Sequence, residues 1–180
     1  TVSVDYQTND GTSTSVGANP DFTAVSGTLS FAAGVTSQTI TVVVNGDSIA
    51  ETNENFSVIL SNPSHPLLAP IGTATATVTI DNDDSVTLEA VGGSFGEGSG
   101  SPNAIQVRIV GVCDRAVTVN FITSNGSAVS PDDFGSTGGS LTFAALTASN
   151  TVLSSPVTIQ NDAITETSET FTVTISGATN

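Results

Sequence analysis

The sequence predicts an all-β chain made of two tandem copies of one antiparallel β-sandwich. Apolar residues alternate with polar ones in short runs bounded by Gly, Asn, Asp, Pro and Ser, and no 3.6-residue period is long enough for a helix. Blocks of sequence also recur in the same order, 112 to 115 residues apart.

The elements follow in chain order. Val2-Ser-Val-Asp-Tyr6 is a short alternating run that returns as Val117-Thr-Val-Asn-Phe121. Asp21-Phe22 returns as Asp133-Phe134, and Gly27-Thr-Leu-Ser-Phe31 as Gly139-Ser-Leu-Thr-Phe143. Ile40–Val44, rich in β-branched residues, reads as a strand. Asp47-Ser-Ile-Ala-Glu-Thr-Asn-Glu-Asn-Phe56 returns as Asp162-Ala-Ile-Thr-Glu-Thr-Ser-Glu-Thr-Phe171. Each of these leads into an alternating strand: Phe56, Val58 and Leu60 in one copy, Phe171, Val173 and Ile175 in the other. Thr73–Ile80 alternates strictly, with Ala74, Ala76, Val78 and Ile80 on one face, which predicts a half-buried strand. Ser85–Val91 and Val152–Ile159 complete the strand set. Roughly 100 residues of short strands per copy is the size of an immunoglobulin-like sandwich.

The modules are expected at 1–84 and 85–180. The first has no strand ahead of its Val2 block, and the second has no counterpart of Thr73–Ile80. Each is therefore expected to lack one terminal strand. Either the segment is trimmed from a longer array, or adjacent modules or like subunits supply the strands by exchange at open sheet edges.

Seventeen Asp and Glu stand against two Arg, Arg108 and Arg115, and no Lys, for a formal net charge of -15. Two basic side chains cannot neutralise a phosphate backbone or hold an anionic lipid surface, so nucleic acid and lipid are excluded as partners. No apolar run reaches the ~18 residues of a membrane span, so no membrane insertion is expected. No signal-peptide pattern opens the sequence. Cys113 is the one cysteine and permits no intrachain disulfide.

The carboxylates are not scattered. Glu51 and Glu54 are three apart, which on a regular strand would place them on opposite faces, so Asp47–Glu54 reads as a loop entering a strand. The same spacing returns in Asp162, Glu166 and Glu169. Asp81, Asp83 and Asp84 follow the Thr73–Ile80 strand and share that end of the sandwich with Asp21. Two such charges about 5 Å apart repel by roughly 3 kcal/mol at an effective dielectric of about 20. A cluster of them needs protonation, separation or a cation. Calcium takes six to eight oxygen ligands in flexible geometry, whereas zinc would want Cys or His, and the chain offers only Cys113 and His65. Calcium is the expected cofactor, with magnesium behind it.

Asp21-Phe-x4-Gly-x-Leu-x-Phe31, Asp47-x-Ile-x-Glu-x2-Glu-Asn-Phe-x-Val-x-Leu-Ser-Asn-Pro63 and Thr77-Val-Thr-Ile-Asp-Asn-Asp-Asp84 together closely resemble the Calx-beta motif. The resemblance covers nearly the whole chain as two incomplete copies. It implies a seven-stranded immunoglobulin-like sandwich of a kind found in the regulatory loop of sodium/calcium exchangers, in an integrin beta subunit and in large bacterial surface proteins. In calcium-binding members the ions sit in loops at one end. By this resemblance the metal ligands of the first copy are Asp21, Asp47, the carbonyl of Ile49, Glu51 and Glu54, with Asp83 and Asp84 in the closing acidic run. Asn82 replaces an Asp there, and Gly46 and Ser48 stand where stronger binders carry Asp. The second copy matches at Glu97, Asp133, Asp162, Ile164, Glu166 and Glu169.

No residues are assigned to catalysis. Gly92-Gly-Ser-Phe-Gly96 matches a nucleophile pattern but lacks the strand–turn–helix setting and a His in its own copy. With no Trp and one Tyr there is no sugar-stacking platform for a glycosidase. Asn55 and Asn125 match glycosylation patterns of a kind that Ser/Thr-rich chains produce by chance. The functional expectation is a non-enzymatic calcium-binding module of an extracellular, bacterial surface protein, with calcium stiffening the junction between modules. The alternatives are a metal-free filament subunit polymerising by strand donation and a calcium-sensing regulatory domain.

Overall fold

The computed structural model describes residues 1–65, 67, 69–97 and 103–179. Every regular element among them is a strand, as the alternating pattern predicts. In chain order these are β1 (Val2–Asp10), β2 (Ser26–Phe31), β3 (Ile49–Ala50), β4 (Glu54–Ser61), β5 (Thr75–Ile80), β6 (Thr87–Val91), β7 (Asn103–Val110), β8 (Val112–Cys113), β9 (Val117–Asn125), β10 (Gly138–Phe143), β11 (Val152–Val157) and β12 (Phe171–Thr179). The chain divides into two compact units, Thr1–Asp47 with Thr52–Asp83, and Ser48–Glu51 with Asp84–Asn180.

The first unit holds a four-stranded antiparallel sheet in the order β2-β1-β4-β5. Its centre is aromatic: Phe22 and Phe56 are both fully buried, with ring centroids 4.3 Å apart. Tyr6 lies opposite Gly27 in the β1–β2 register, and its ring occupies the space a side chain there would need. Two sequence expectations need correction in this unit. Ile40–Val44 forms no strand; Val44 makes only an isolated bridge to Phe22. Its counterpart β11 pairs with β7, and the first copy's residues include no counterpart of β7 to receive it. The strict alternation of Thr73–Ile80 does give a strand, β5, but its residues are exposed on both faces except half-buried Ile80, and Val78 is 37% exposed. β5 is the edge of its sheet, and no second sheet covers it among the described residues of this unit.

The second unit is a sandwich of two three-stranded antiparallel sheets, β10-β9-β12 and β11-β7-β6. Inward residues alternate along the central strands, Ile105, Val107 and Ile109 on β7 and Val117, Val119 and Phe121 on β9, all buried. Val107, Ile109, Cys113, Val117, Val119 and Phe143 pack as one cluster, and Ile105, Phe121, Ala128, Phe134 and Val157 as a second. Thr123 is a buried polar exception: its hydroxyl donates to the Thr137 carbonyl at 3.0 Å and accepts from the Thr137 N–H at 2.8 Å. Thr8 clamps Val25 the same way in the first unit. β3 joins this unit by pairing in parallel with β8, which places Ala50 against Cys113. Cys113 is buried there, its thiol 3.7 Å from an Asp114 carboxylate oxygen.

Candidate metal centre

The acidic end is built the same way in both copies. After β1 the chain turns at Gly11, and the Thr12 hydroxyl accepts the Asn55 N–H at 2.9 Å. The Ser13 N–H donates to the Asn55 carbonyl at 3.0 Å. After β9 the chain turns at Gly126, Ser127 takes the Thr170 N–H at 2.9 Å, and the Ala128 N–H donates to the Thr170 carbonyl at 3.0 Å. A side chain at Gly11 would run into the Asn55 carbonyl, and one at Gly126 into the Thr170 carbonyl, so glycine is required at both.

This pinned turn sets the first carboxylate. Asp21 accepts the Thr14 N–H at 2.6 Å and Asp133 the Val129 N–H at 2.6 Å. Each Asp backbone is also fixed, its carbonyl accepting from Asn45 at 2.8 Å and from Gln160 at 2.9 Å respectively. The following Phe is driven into the core, so the Asp side chain stays at the rim.

Asp133, Glu166 and Glu169, all in the second unit, each offer a carboxylate oxygen, all within 4.8 Å of one another. This is an all-oxygen set without Cys or His, a hard-cation donor set. Cys113 is buried in the core, and His65 bonds the Ser64 hydroxyl through Nδ1 at 3.0 Å. Asp133, Glu97, Glu166 and Glu169 line a cleft of about 710 Å³ whose floor is Phe95, Phe134 and Phe171. That is room for an ion keeping part of its water shell.

The charges press on one another. Partial loss of hydration raises the Glu166 carboxyl above its usual range, and the negative charges of Asp133, Asp162, Glu169 and Glu97 add to the effect. Glu169 is raised by the same loss of hydration, by Asp133 and by Glu97; when protonated it shares its proton with Asp133 through a carboxyl–carboxylate hydrogen bond. No positive group appears among these influences. Asp5, on β1, shows the opposite case: hydrogen bonds from Thr28 and Asn62 hold its carboxyl low.

The remaining ligand candidates are placed less closely. Asp162 caps its own turn, accepting the Ile164 N–H at 2.7 Å, while the Ile164 side chain is exposed. Ile49 sits in β3, opposite Val112. Asp21, Asp47, Glu54 and Asp83 belong to the first unit, and Glu51 and Asp84 to the second. Asp81 accepts the Asn53 side-chain amide at 2.7 Å and helps hold that turn. Gly92–Gly96 runs as a loop after β6. The pins Thr12 and Ser127 were not singled out in the sequence, although Gly11-Thr12 and Gly126-Ser127 recur with the same 115-residue offset as Val2 and Val117. The Glu89–Arg108 ion pair across β6 and β7, with Arg108 Nε 3.0 Å from the carboxylate, also had no sequence signal beyond opposite charge.

Comparison with known proteins bears on both units. The Calx-beta domain profile matches residues 1–84 and again residues 80–180. Sodium/calcium exchanger Calx of Drosophila melanogaster is 32% identical over 143 residues, which is 78% of this chain and 15% of that protein. Sodium/calcium exchanger 1 of Bos taurus is 33% identical over 162 residues, 79% of this chain and 16% of that protein. The chain thus spans about one sixth of the length of these relatives. A crystal structure of CBD12 from CALX1.2 aligns at 28% identity and a TM-score of 0.42, covering 98% of this chain and 68% of that one. Calx-beta domains bind Ca2+, in agreement with the oxygen-only cluster. The relatives overturn the expected extracellular, cell-surface location: they are named as sodium/calcium exchangers, not as surface or adhesive proteins. A Thr-rich, Lys-free surface speaks of charge and solubility and serves on either side of a membrane.

Proposed function

The chain belongs to the Calx-beta family, and from that premise we propose that it is a non-catalytic calcium-binding regulatory segment whose acidic ends respond to the ion. The observation that carries this is the convergence of Asp133, Glu166 and Glu169 to within 4.8 Å with only negative charge acting on the two glutamates. Such a group is strained by repulsion without a cation and relieved by one. Asp133, Glu166, Glu169 and Glu97 would hold calcium in the second copy, with Asp162 and the Ile164 carbonyl beside them. Asp21, Glu51 and Glu54 would do so in the first, with Asp47, the Ile49 carbonyl, Asp83 and Asp84 available to complete it. The relatives, named as sodium/calcium exchangers, support a regulatory setting over an adhesive one.

A cation that binds only the folded state stabilises it by about 2.7 kcal/mol at 100 times its dissociation constant. Thermal unfolding followed by circular dichroism should therefore shift upward on adding calcium to chelator-treated protein, with magnesium giving a smaller shift. Equal melting curves with and without calcium would refute the reading.

A further inference from the structure

We propose that Phe95 is a positioning residue for the acidic cluster of the second copy: its ring, seated on the Phe171–Phe134 stack, holds Glu97 at the cleft as a fourth carboxylate. The inference rests on the calcium reading for its ligand and extends it to a residue that carries no donor atom.

Three segments bring carboxylates to this cleft, and each has an aromatic ring one or two residues from its acid. Asp133 precedes Phe134, Glu169 stands two before Phe171, and Glu97 stands two after Phe95. The rings form one continuous stack, with centroids 4.4 Å apart for Phe134–Phe171 and 6.2 Å for Phe95–Phe171. Phe95 is half-buried against the core cluster that contains Phe134. In the first copy Asp21 precedes Phe22, Glu54 stands two before Phe56, and the two rings stack at 4.3 Å.

The loop needs such an anchor. Gly92, Gly93 and Gly96 leave its backbone many conformations to lose. The negative charges of Asp133, Glu166 and Glu169 push Glu97 outward, and its own charge is felt at both glutamates. Burial of an aromatic ring is the favourable term that opposes both. The loop then meets an incoming ion with its carboxylate already in place, so less ordering cost falls on binding.

The test compares wild type, Phe95→Ala, Phe95→Leu, Glu97→Gln and the Phe95→Ala/Glu97→Gln double variant of the full chain. Calorimetric titration with calcium should show about tenfold weaker binding at the second site for Phe95→Ala, on the scale seen when a group that orients a metal ligand is lost. Phe95→Leu, which keeps an apolar anchor, should recover most of it. The double variant should bind no more weakly than Glu97→Gln alone, because the ring acts through that carboxylate. A second readout needs no metal: in calcium-free protein, NMR relaxation should find the Glu97 backbone amide more mobile in Phe95→Ala than in wild type, and close to wild type in Phe95→Leu. Unchanged Glu97 mobility together with unchanged affinity would overturn the inference, as would a Phe95→Ala loss that persists in full on top of Glu97→Gln. If wild type bound no calcium while Phe95→Ala loosened Glu97, the calcium reading would fall and the positioning role would stand.

Discussion

Ser13 and Ala128 occupy the same place in the two copies and differ by one hydroxyl. Both are buried, and the Ser13 hydroxyl finds no hydrogen-bond partner among the described residues. Removing a buried donor without a partner is neutral to stabilising, so Ser13→Ala should leave stability unchanged or raise it by about 1 kcal/mol in urea unfolding. The glutamates make the opposite case, because they are costly to the fold and useful to the site. The folded unit holds protons on Glu166 and Glu169 more tightly than the unfolded chain does. Stability from that source is fully present below the ordinary carboxylate range and is lost as the pH rises through the raised values. In calcium-free buffer the Glu166→Gln/Glu169→Gln variant should therefore gain on wild type in urea unfolding between about pH 4 and about pH 7. A flat difference across that range would contradict it. The acids themselves were legible in the sequence because Asp-x3-Glu-x2-Glu repeats. Their distances were not, since a loop's path depends on pins such as Ser127, whose hydroxyl type carries no long-range signal.

At the scale of elements, the turn after β9 decides where Asp133 stands. A methyl group at Gly126 would meet the Thr170 carbonyl, one residue from Glu169, so Gly126→Ala should cost about 1–3 kcal/mol in urea unfolding and weaken calcium binding with it. Thr123→Val would leave the Thr137 N–H without its acceptor inside the sandwich, for a loss of about 1–3 kcal/mol. If Thr123→Val were harmless, the clamp would be only incidental. Strand identity was readable wherever alternation met a partner, as in β9 and β12. Ile40–Val44 shows the limit: β-branched residues favour a strand, but a strand exists only when a neighbour accepts its hydrogen bonds, and the sequence pattern does not say whether one is there. β5 shows a second limit, because alternation marks which face could be buried, while burial itself requires a covering layer.

At the scale of the whole molecule, duplication is what made the fold and the family readable from one sequence. Phe22 with Phe56 and Phe134 with Phe171 stack at nearly the same distance, so the repeated sequence blocks give a repeated aromatic pair. Location was not readable, because composition reports on surface charge and not on address. The most direct measurement of the central claim is calorimetric titration of calcium into chelator-stripped protein, run beside Glu169→Gln. The account predicts saturable binding in the range of about 10⁻⁷–10⁻⁵ M expected of a calcium sensor. It also predicts at least about tenfold weaker binding at the second site in the variant, as loss of a metal-orienting group gives. Absence of saturable heat in the wild type, or identical isotherms for the two proteins, would contradict it.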